Sequence, residues 1–282
     1  MTLNTLAMPE AEYHASPGLS ATGMKWILRS PAHYRARMAQ PGESAAFDIG
    51  HAVHAKILGV GADITVIPED ILASNGATST KEAKAFIAKA RGDGLTPIKA
   101  DVLDAINATA EAVLTHPKAA RLLALEGPVE VSLFATDPDT GVSLRGRLDK
   151  LATTSSGRLV NVDIKTTTDV RRHKIRRAIE DYGYDIQSET YRHLIRLTHD
   201  SADVAPTHLI FVEKEPPHEV RVIQLAHEDW ITGGAMRMRR AINTYARCIA
   251  TDTWPGDDDG PGAAEAIEPR PYYLDDTERD EP

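Results

Sequence analysis

The chain has 282 residues, 42% hydrophobic and 26% charged, which suits a soluble globular protein of one large or two small domains. Its single cysteine, Cys248, excludes an internal disulfide and any site built on several thiolates, so a metal would sit on oxygen and imidazole ligands. No apolar run of about 18 residues and no basic-then-apolar leader occurs, so the expectation is a cytoplasmic protein without a membrane partner.

In chain order, the first helix is expected after Ser20, a plausible N-cap, with Leu19, Met24, Ile27 and Leu28 at helical spacing. Pro31 at a first-turn position starts a second helix. Residues 43–58 read as a helix presenting Phe47, Gly50, His51 and His54 within two turns, with His51 and His54 sharing a face. A short strand is expected at 64–67, and amphipathic helices at 80–91 and 99–116. After Gly127-Pro128 the period changes to two, and the turns Asp137-Pro-Asp-Thr-Gly and Thr154-Ser-Ser-Gly join three strands as a meander. Helices at 170–179 and 186–199, strands at 207–213 and 220–225, and a helix at 227–250 complete the body.

This order predicts an α/β fold: a mixed central β-sheet flanked by helices, with an N-terminal helical elaboration. The expected organisation is one domain over 1–251, with a helical part at about 19–126 and a core at about 127–251. The segment 252–282 reads as an acidic, disordered tail with little to bury. Of 41 acidic and 32 basic residues, eleven and two fall in that tail, leaving 30 of each in the body. The net charge of −9 therefore belongs to the tail, and a neutral body does not exclude nucleic acid as a partner. Acidic tails commonly confer solubility; the sharper reading is a DNA mimic or a partner-binding segment.

The chemistry concentrates in Leu144-Arg-Gly-Arg-Leu-Asp-Lys-Leu and Leu159-Val-Asn-Val-Asp-Ile-Lys-Thr. A hairpin closed at residues 153–157 brings Asp149 back beside Asp163. Strand alternation sends Asp163 and Lys165 to one face and Ile164 to the other. Aspartate is depleted in strands, and local rules fail where function demands it. Two carboxylates and an ammonium on one hairpin edge suit a Mg²⁺-dependent phosphodiester hydrolase, with Mn²⁺ as a substitute ion: carboxylates bind the metal, and lysine orients or deprotonates water or stabilises charge.

Several ordered blocks over about residues 19–225 resemble the PD-(D/E)xK nucleases, and within them the RecE-type, exonuclease VIII-like enzymes of phages and prophages. Leu19-Ser-Ala-Thr-Gly-Met-Lys-Trp-Ile-Leu-Arg-Ser-Pro-Ala-His-Tyr is similar to the family's opening Ser-x-Ser-x-Leu and Ser-Pro-x-x-Tyr block. Gly50-His-Ala-Val-His matches Gly-x-x-x-His, Arg147-Leu-Asp149 and Asp163-Ile-Lys165 match the Asp and Asp-x-Lys positions, and Gln187-Ser-Glu-Thr-Tyr191 matches Gln-x-x-x-Tyr. The resemblance implies a restriction-endonuclease-like core with His54, Asp149, Asp163 and the Ile164 carbonyl at the metal, and Lys165, Gln187 and Tyr191 as further catalytic groups. By itself, His54 reads more readily as a core or surface histidine than as a ligand, because Mg²⁺ prefers oxygen, and His51 reads as a supporting or substrate-contacting group. Glu130 resembles an acidic residue that some relatives place near the metals, but serves as well as a surface strand residue.

Arg171-Arg-His-Lys-Ile-Arg-Arg carries Arg171, Arg172, Lys174, Arg176 and Arg177 one turn after the Asp-x-Lys strand. Such a run is usually a solvated helix face; its position here favours phosphate contacts. Lys25, Arg29, Arg35 and Arg37, flanked by Trp26 and Tyr34, form a second candidate patch whose rings would stack on an opened base. The chain lacks the cysteines of the iron–sulfur members and any phosphate-binding Gly-x-x-x-x-Gly-Lys-Ser/Thr loop, so ATP-driven unwinding is not expected. The resemblance implies an exonuclease on double-stranded DNA ends in homologous recombination, resecting 5′ to 3′, homo-oligomeric and partnered by a RecT-like single-strand annealing protein. An endonuclease of the same superfamily and a non-catalytic DNA-binding adaptor are the competing readings.

Overall fold

A computed structural model describes residues 4–5, 8–39, 45–60, 63–199, 203–258, 264 and 266–268. Six strands form one mixed sheet in the order β1-β4-β5-β6-β7-β8, with β1 at Asn4–Thr5, β4 at Val129–Thr136, β5 at Ser143–Thr153, β6 at Leu159–Thr167, β7 at His208–Glu213 and β8 at Val220–Gln224. β4, β5 and β6 are the expected antiparallel meander, and Gly157 closes the second turn by donating its N–H to the Thr154 carbonyl. β7 returns parallel to β6 after a helical crossover, and β8 pairs antiparallel to β7 as the far edge.

The helices are α1 (Glu10–Ala15), α2 (Ala21–Arg29), α3 (Pro31–Ala39), α4 (Ala45–Leu58), α5 (Lys81–Gly92), α6 (Ala100–Thr115), α7 (Pro117–Leu123), α8 (Arg172–Tyr182), α9 (Tyr184–Thr198) and α10 (Glu228–Thr251). Ser20 caps α2 as expected, its hydroxyl accepting the Gly23 N–H at 3.2 Å. A separate parallel pair, β2 (Ile64–Ile67) and β3 (Thr96–Lys99), is linked through α5. The sequence indicates β2 but not β3, because Pro97 argues against a paired strand and a four-residue run carries no period. Nor does it indicate α1 or α7, each too short to show a repeating apolar face.

Two packed layers cover the sheet. On one face α2, α9 and α10 pack Met24, Ile27, Leu194, Ile195 and Ile242 onto Leu133, Leu144 and Leu148. On the other, α4 and α6 set Ala52, Val53, Ile106 and Val113 against Val160, Val162, Ile164 and Ile210. Val160, Val162 and Ile164 alternate with Asn161, Asp163 and Lys165, so β6 buries its apolar row on the α4 side and turns its polar row toward α9. α9 comes close because β5 carries Gly146, where a Cβ would lie 2.7 Å from Leu194 and 2.9 Å from the Tyr191 ring. Among the described residues, no helix is long and apolar enough to cross a membrane.

Most of the expected tail lies outside the described residues, as do the side chains of Phe47 and His51. Its first residues are packed, however: Trp254 stacks on Tyr34 with centroids 5.7 Å apart, and Pro255 accepts the Ala32 N–H at 3.0 Å. Tyr34 is thus occupied by Trp254 and Tyr245, and Arg35 bonds Asp252 at 3.4 Å, so these two patch residues belong to the packing of α3 against the end of α10.

Candidate metal and catalytic centre

The centre lies where the sheet divides. β5 and β6 pair from Thr153↔Leu159 to Lys150↔Val162; beyond that, β5 stays with β4 and β6 with β7. The parting frees the Ile164 N–H from the ladder, and the Asp149 carboxylate takes it at 2.7 Å. The convergence expected of Asp149 and the Asp163 strand is therefore present, through the backbone of the residue between Asp163 and Lys165. Ile164 itself is 1% exposed, its side chain in the opposite layer.

From the α4 side, His54 brings Nδ1 to 3.5 Å from Asp149 Oδ2. From β4, Glu130 joins them: ligand atoms of His54, Glu130 and Asp149 all lie within 4.8 Å of one another, a spacing that fits one cation. Glu130 stands in the left-handed region at φ 52, which costs a non-glycine residue about 1–3 kcal/mol and persists only where the surroundings impose it. Arg147 Nε holds its carboxylate at 2.5 Å. The surface-strand reading of Glu130 gives way to a place in the cluster, which its spacing along the chain does not reveal.

On the α9 side the polar row is tied into a chain. Lys165 Nζ lies 2.6 Å from Asp163 Oδ2 and donates to Gln187 Oε1 at 3.0 Å. Gln187 Nε2 in turn donates to Tyr191 Oη at 3.0 Å and to Asp163 Oδ1 at 3.4 Å. The i, i+4 spacing of Gln187 and Tyr191 stacks them on one helix face, as expected. Tyr184, at the start of α9, is an addition that no motif signals: Lys165 Nζ sits 4.7 Å above its ring, a cation–π contact.

Burial sets the electrostatics. It pushes the Asp149 carboxyl up to about 6, with His54 pulling the other way and Asp163 adding to the rise. Burial also works against the Lys165 ammonium, but the Asp163 carboxylate, with Tyr184 and Asp149, outweighs it and holds this group above the ordinary lysine value. Desolvation raises the Tyr191 hydroxyl well above the ordinary tyrosine value, so it stays protonated. A cation among His54, Glu130 and Asp149 would relieve the desolvated carboxylate, and an oxygen-rich set with one imidazole suits Mg²⁺ or Mn²⁺.

The basic residues divide into paired and free. Arg171 forks onto Asp169 with Nη2–Oδ2 at 2.6 Å, and Arg177 bonds Asp181 at 3.2 Å. Arg172, Lys174 and Arg176 are exposed with no carboxylate partner among the described residues. Arg29 and Arg37 lie over the Trp26 ring at 5.6 and 5.9 Å. Lys25 runs past Gly183, where a Cβ would meet its Cδ at 2.8 Å, and donates to the Tyr182 carbonyl at 2.8 Å. Gly183, at φ 61, joins α8 to α9, so its missing side chain serves both the turn and this passage. Burial, with Lys165 as a like charge, pulls the Lys25 ammonium down to about 8.

No curated protein matches the chain. A crystal structure from Eubacterium rectale, described as a candidate exonuclease, is similar at TM-score 0.57 and 11% identity, covering 94% of this chain and 97% of that one; this likeness concerns the fold. A phage-related exonuclease from Haemophilus somnus 129PT aligns at TM-score 0.32 and 16% identity over 72% of this chain and 95% of that one. A family profile matches residues 20–267, so the match spans the sheet, the divided strands and their helices. The chain belongs to the family described as a PDDEXK-like domain of unknown function (DUF3799).

Proposed function

We propose that the protein is a Mg²⁺-dependent exodeoxyribonuclease that resects linear double-stranded DNA from 5′ to 3′ in homologous recombination. The observation that carries this reading is the strand fork, where His54, Glu130 and Asp149 cluster within 4.8 Å beside an Asp163–Lys165 pair at 2.6 Å. Polarity, the homo-oligomeric working form and a RecT-like annealing partner rest on the resemblance to RecE-type enzymes. Residues 1–251 act as the nuclease domain.

His54, Glu130 and Asp149 would hold the ion, with Asp163 and the Ile164 carbonyl as the further ligands that the resemblance implies. When bound, Mg²⁺ offsets phosphate charge and lowers the pKa of water. The raised pKa of Lys165 keeps it an ammonium at neutral pH, so its role is to orient water and stabilise charge developing on the phosphate, rather than to deprotonate water. Asp163 and Gln187 fix that ammonium, and Tyr191 fixes Gln187. Lys25, Arg172, Lys174 and Arg176 neutralise backbone phosphates on either side; Arg171 and Arg177 contribute less because carboxylates already meet them. Trp26, with Arg29 beside it, offers a stacking surface.

The test is digestion of end-labelled linear duplex and of a covalently closed circle, by wild type and Asp163→Ala, with Mg²⁺, Mn²⁺ or Ca²⁺. Progressive release from 5′ ends by wild type alone, with Mg²⁺ or Mn²⁺ and with the circle intact, is the expected result. Cleavage of the circle at the same rate would assign an endonuclease, and undiminished digestion by Asp163→Ala would remove the site.

A further inference from the structure

Away from the strand fork, a groove of about 390 Å³ opens between α8, the edge strand β8 and the start of α10. Its floor includes Ile179 and Trp230, and Lys118, Arg172, Arg176 and Arg221 stand around it. Arg221 is tied to the Val170 carbonyl at 2.6 Å, but Lys118, Arg172 and Arg176 face no carboxylate among the described residues. An apolar floor ringed by unpaired cations suits an acidic segment with apolar side chains.

We propose that this groove binds the chain's own segment 264–282, and that the bound segment competes with DNA. Three observations support that occupant. The first is charge: the segment carries seven acidic residues and two arginines, while residues 1–251 carry 30 of each sign. The second is apolar content, with Tyr272-Tyr-Leu amid the acids and Ile267 standing 89% exposed with no apolar seat. The third is reach: α10 is 24 residues long, about 36 Å, and the sixteen residues 256–271 that follow the packed Trp254 and Pro255 have a contour of up to about 53 Å, enough to return Tyr272-Tyr-Leu to the groove.

Competition follows from shared residues. Arg172 and Arg176 line the groove and also belong to the α8 face assigned to phosphates. In the register of the sheet, Asp163 pairs with Leu209 and Leu209 with Ile223, which lines the groove. Two strand spacings, about 10 Å, therefore separate the groove from the acid row. An acidic segment seated there meets DNA at the same guanidinium groups. The binding itself does not depend on the nuclease reading; only its consequence for DNA does.

The experiment uses the chain ended after residue 263, which keeps the Trp254 packing, and a synthetic 264–282 peptide added back. Peptide binding without DNA should change Trp230 fluorescence, and the change should vanish in Trp230→Phe and weaken at least tenfold in Lys118→Glu, a residue outside the phosphate-binding face. A tethered segment at an effective concentration of about 1 mM against a peptide Kd of about 0.1 mM predicts that truncation tightens DNA binding about tenfold at low salt. No fluorescence change, or equal binding by Lys118→Glu, would overturn the proposal. So would full-length protein whose weakened DNA binding appears only as larger species form with concentration, which would give the groove to a second copy. Nuclease failure with intact peptide binding would reject the nuclease reading alone.

Discussion

Two aspartates twelve residues apart, a buried one before β5 and a half-buried one within it, are shifted in opposite directions. Asp137 is 0% exposed; burial alone would raise its pKa, but hydrogen bonds from Arg239 and Thr140 outweigh it and bring the carboxyl down to about 2. Arg239 reaches it with two nitrogens at 2.8 and 2.9 Å, and the Thr140 hydroxyl donates at 2.7 Å. Asp149 has one N–H at 2.7 Å, a histidine at 3.5 Å and a second carboxylate pushing its pKa up. A carboxylate whose charge is met from within the chain fastens elements together, here the β4–β5 turn to α10. One whose charge is left unmet, in a layer where ions are costly, is kept for a cation that arrives from outside.

The strongest way to break that contrast is at the fork. Lys165→Ala or Asp163→Ala should lower the nuclease rate by about 10²–10³-fold, the scale of removing one preorganised charge from such a site. Circular dichroism should remain that of wild type. An active Lys165→Ala enzyme would return the fork to the class of ordinary buried ion pairs. At the other end, Arg239→Ala strands the Asp137 carboxylate and should cost about 3 kcal/mol in urea unfolding, with the rate per folded molecule unchanged. Loss of activity in the folded variant would mean that α10 also shapes the centre.

Asp149→Asn sharpens the comparison through its sign. The folded pKa of Asp149, about 6, lies above the ordinary 3.8, so between those values the folded chain keeps a proton that the unfolded chain has released. The metal-free protein therefore loses stability on this group's account as pH rises from about 4 to about 6. The amide oxygen introduced by the substitution would still accept the Ile164 N–H, so the change should stabilise the metal-free fold at pH 7.5 by roughly 1–2 kcal/mol while abolishing digestion. The gain should shrink toward pH 4, and Mg²⁺ should raise the Tm of wild type but not of the variant. A lower Tm at pH 7.5 would show that Asp149 is already satisfied within the chain.

The meander, the alternation that sends Asp163 and Lys165 to one face, and the Gln187–Tyr191 face are legible because each is a local period of two or four. The parting of β5 from β6 was not: Asp149 and Lys150 are neighbours in an uninterrupted strand pattern, and only the ladder reveals that one pairs while the other leaves. Glu130 was legible as an acid at a strand start, but its left-handed backbone and its approach to His54 depend on three elements meeting. The Tyr184 ring reaches Lys165 only once α9 lies on β6, and Lys25 passes Gly183 only once α2 has docked on α9. Both are tertiary events with no sequence period. Charge runs were legible as runs; which arginines are free depends on nearby acids such as Asp169 and Asp181.

That last division supplies the smallest effect and the finest test. Arg171 and Arg172 are adjacent and equally basic, yet Arg171 is forked onto Asp169 while Arg172 has no carboxylate partner among the described residues. A guanidinium already neutralised by an acid releases few counterions when it meets a phosphate, whereas a free one releases nearly its full share. In the chain ended after residue 263, where the acidic segment cannot interfere, Arg172→Ala should reduce the slope of log affinity against log salt by about 1. Arg171→Ala should change it by clearly less, and Asp169→Asn should raise the contribution of Arg171 toward that of its neighbour. Equal slopes for the two arginine variants would mean that the pairing seen on α8 opens when DNA binds, and that satisfied and unsatisfied charges are distinguished in this protein only in its buried layers.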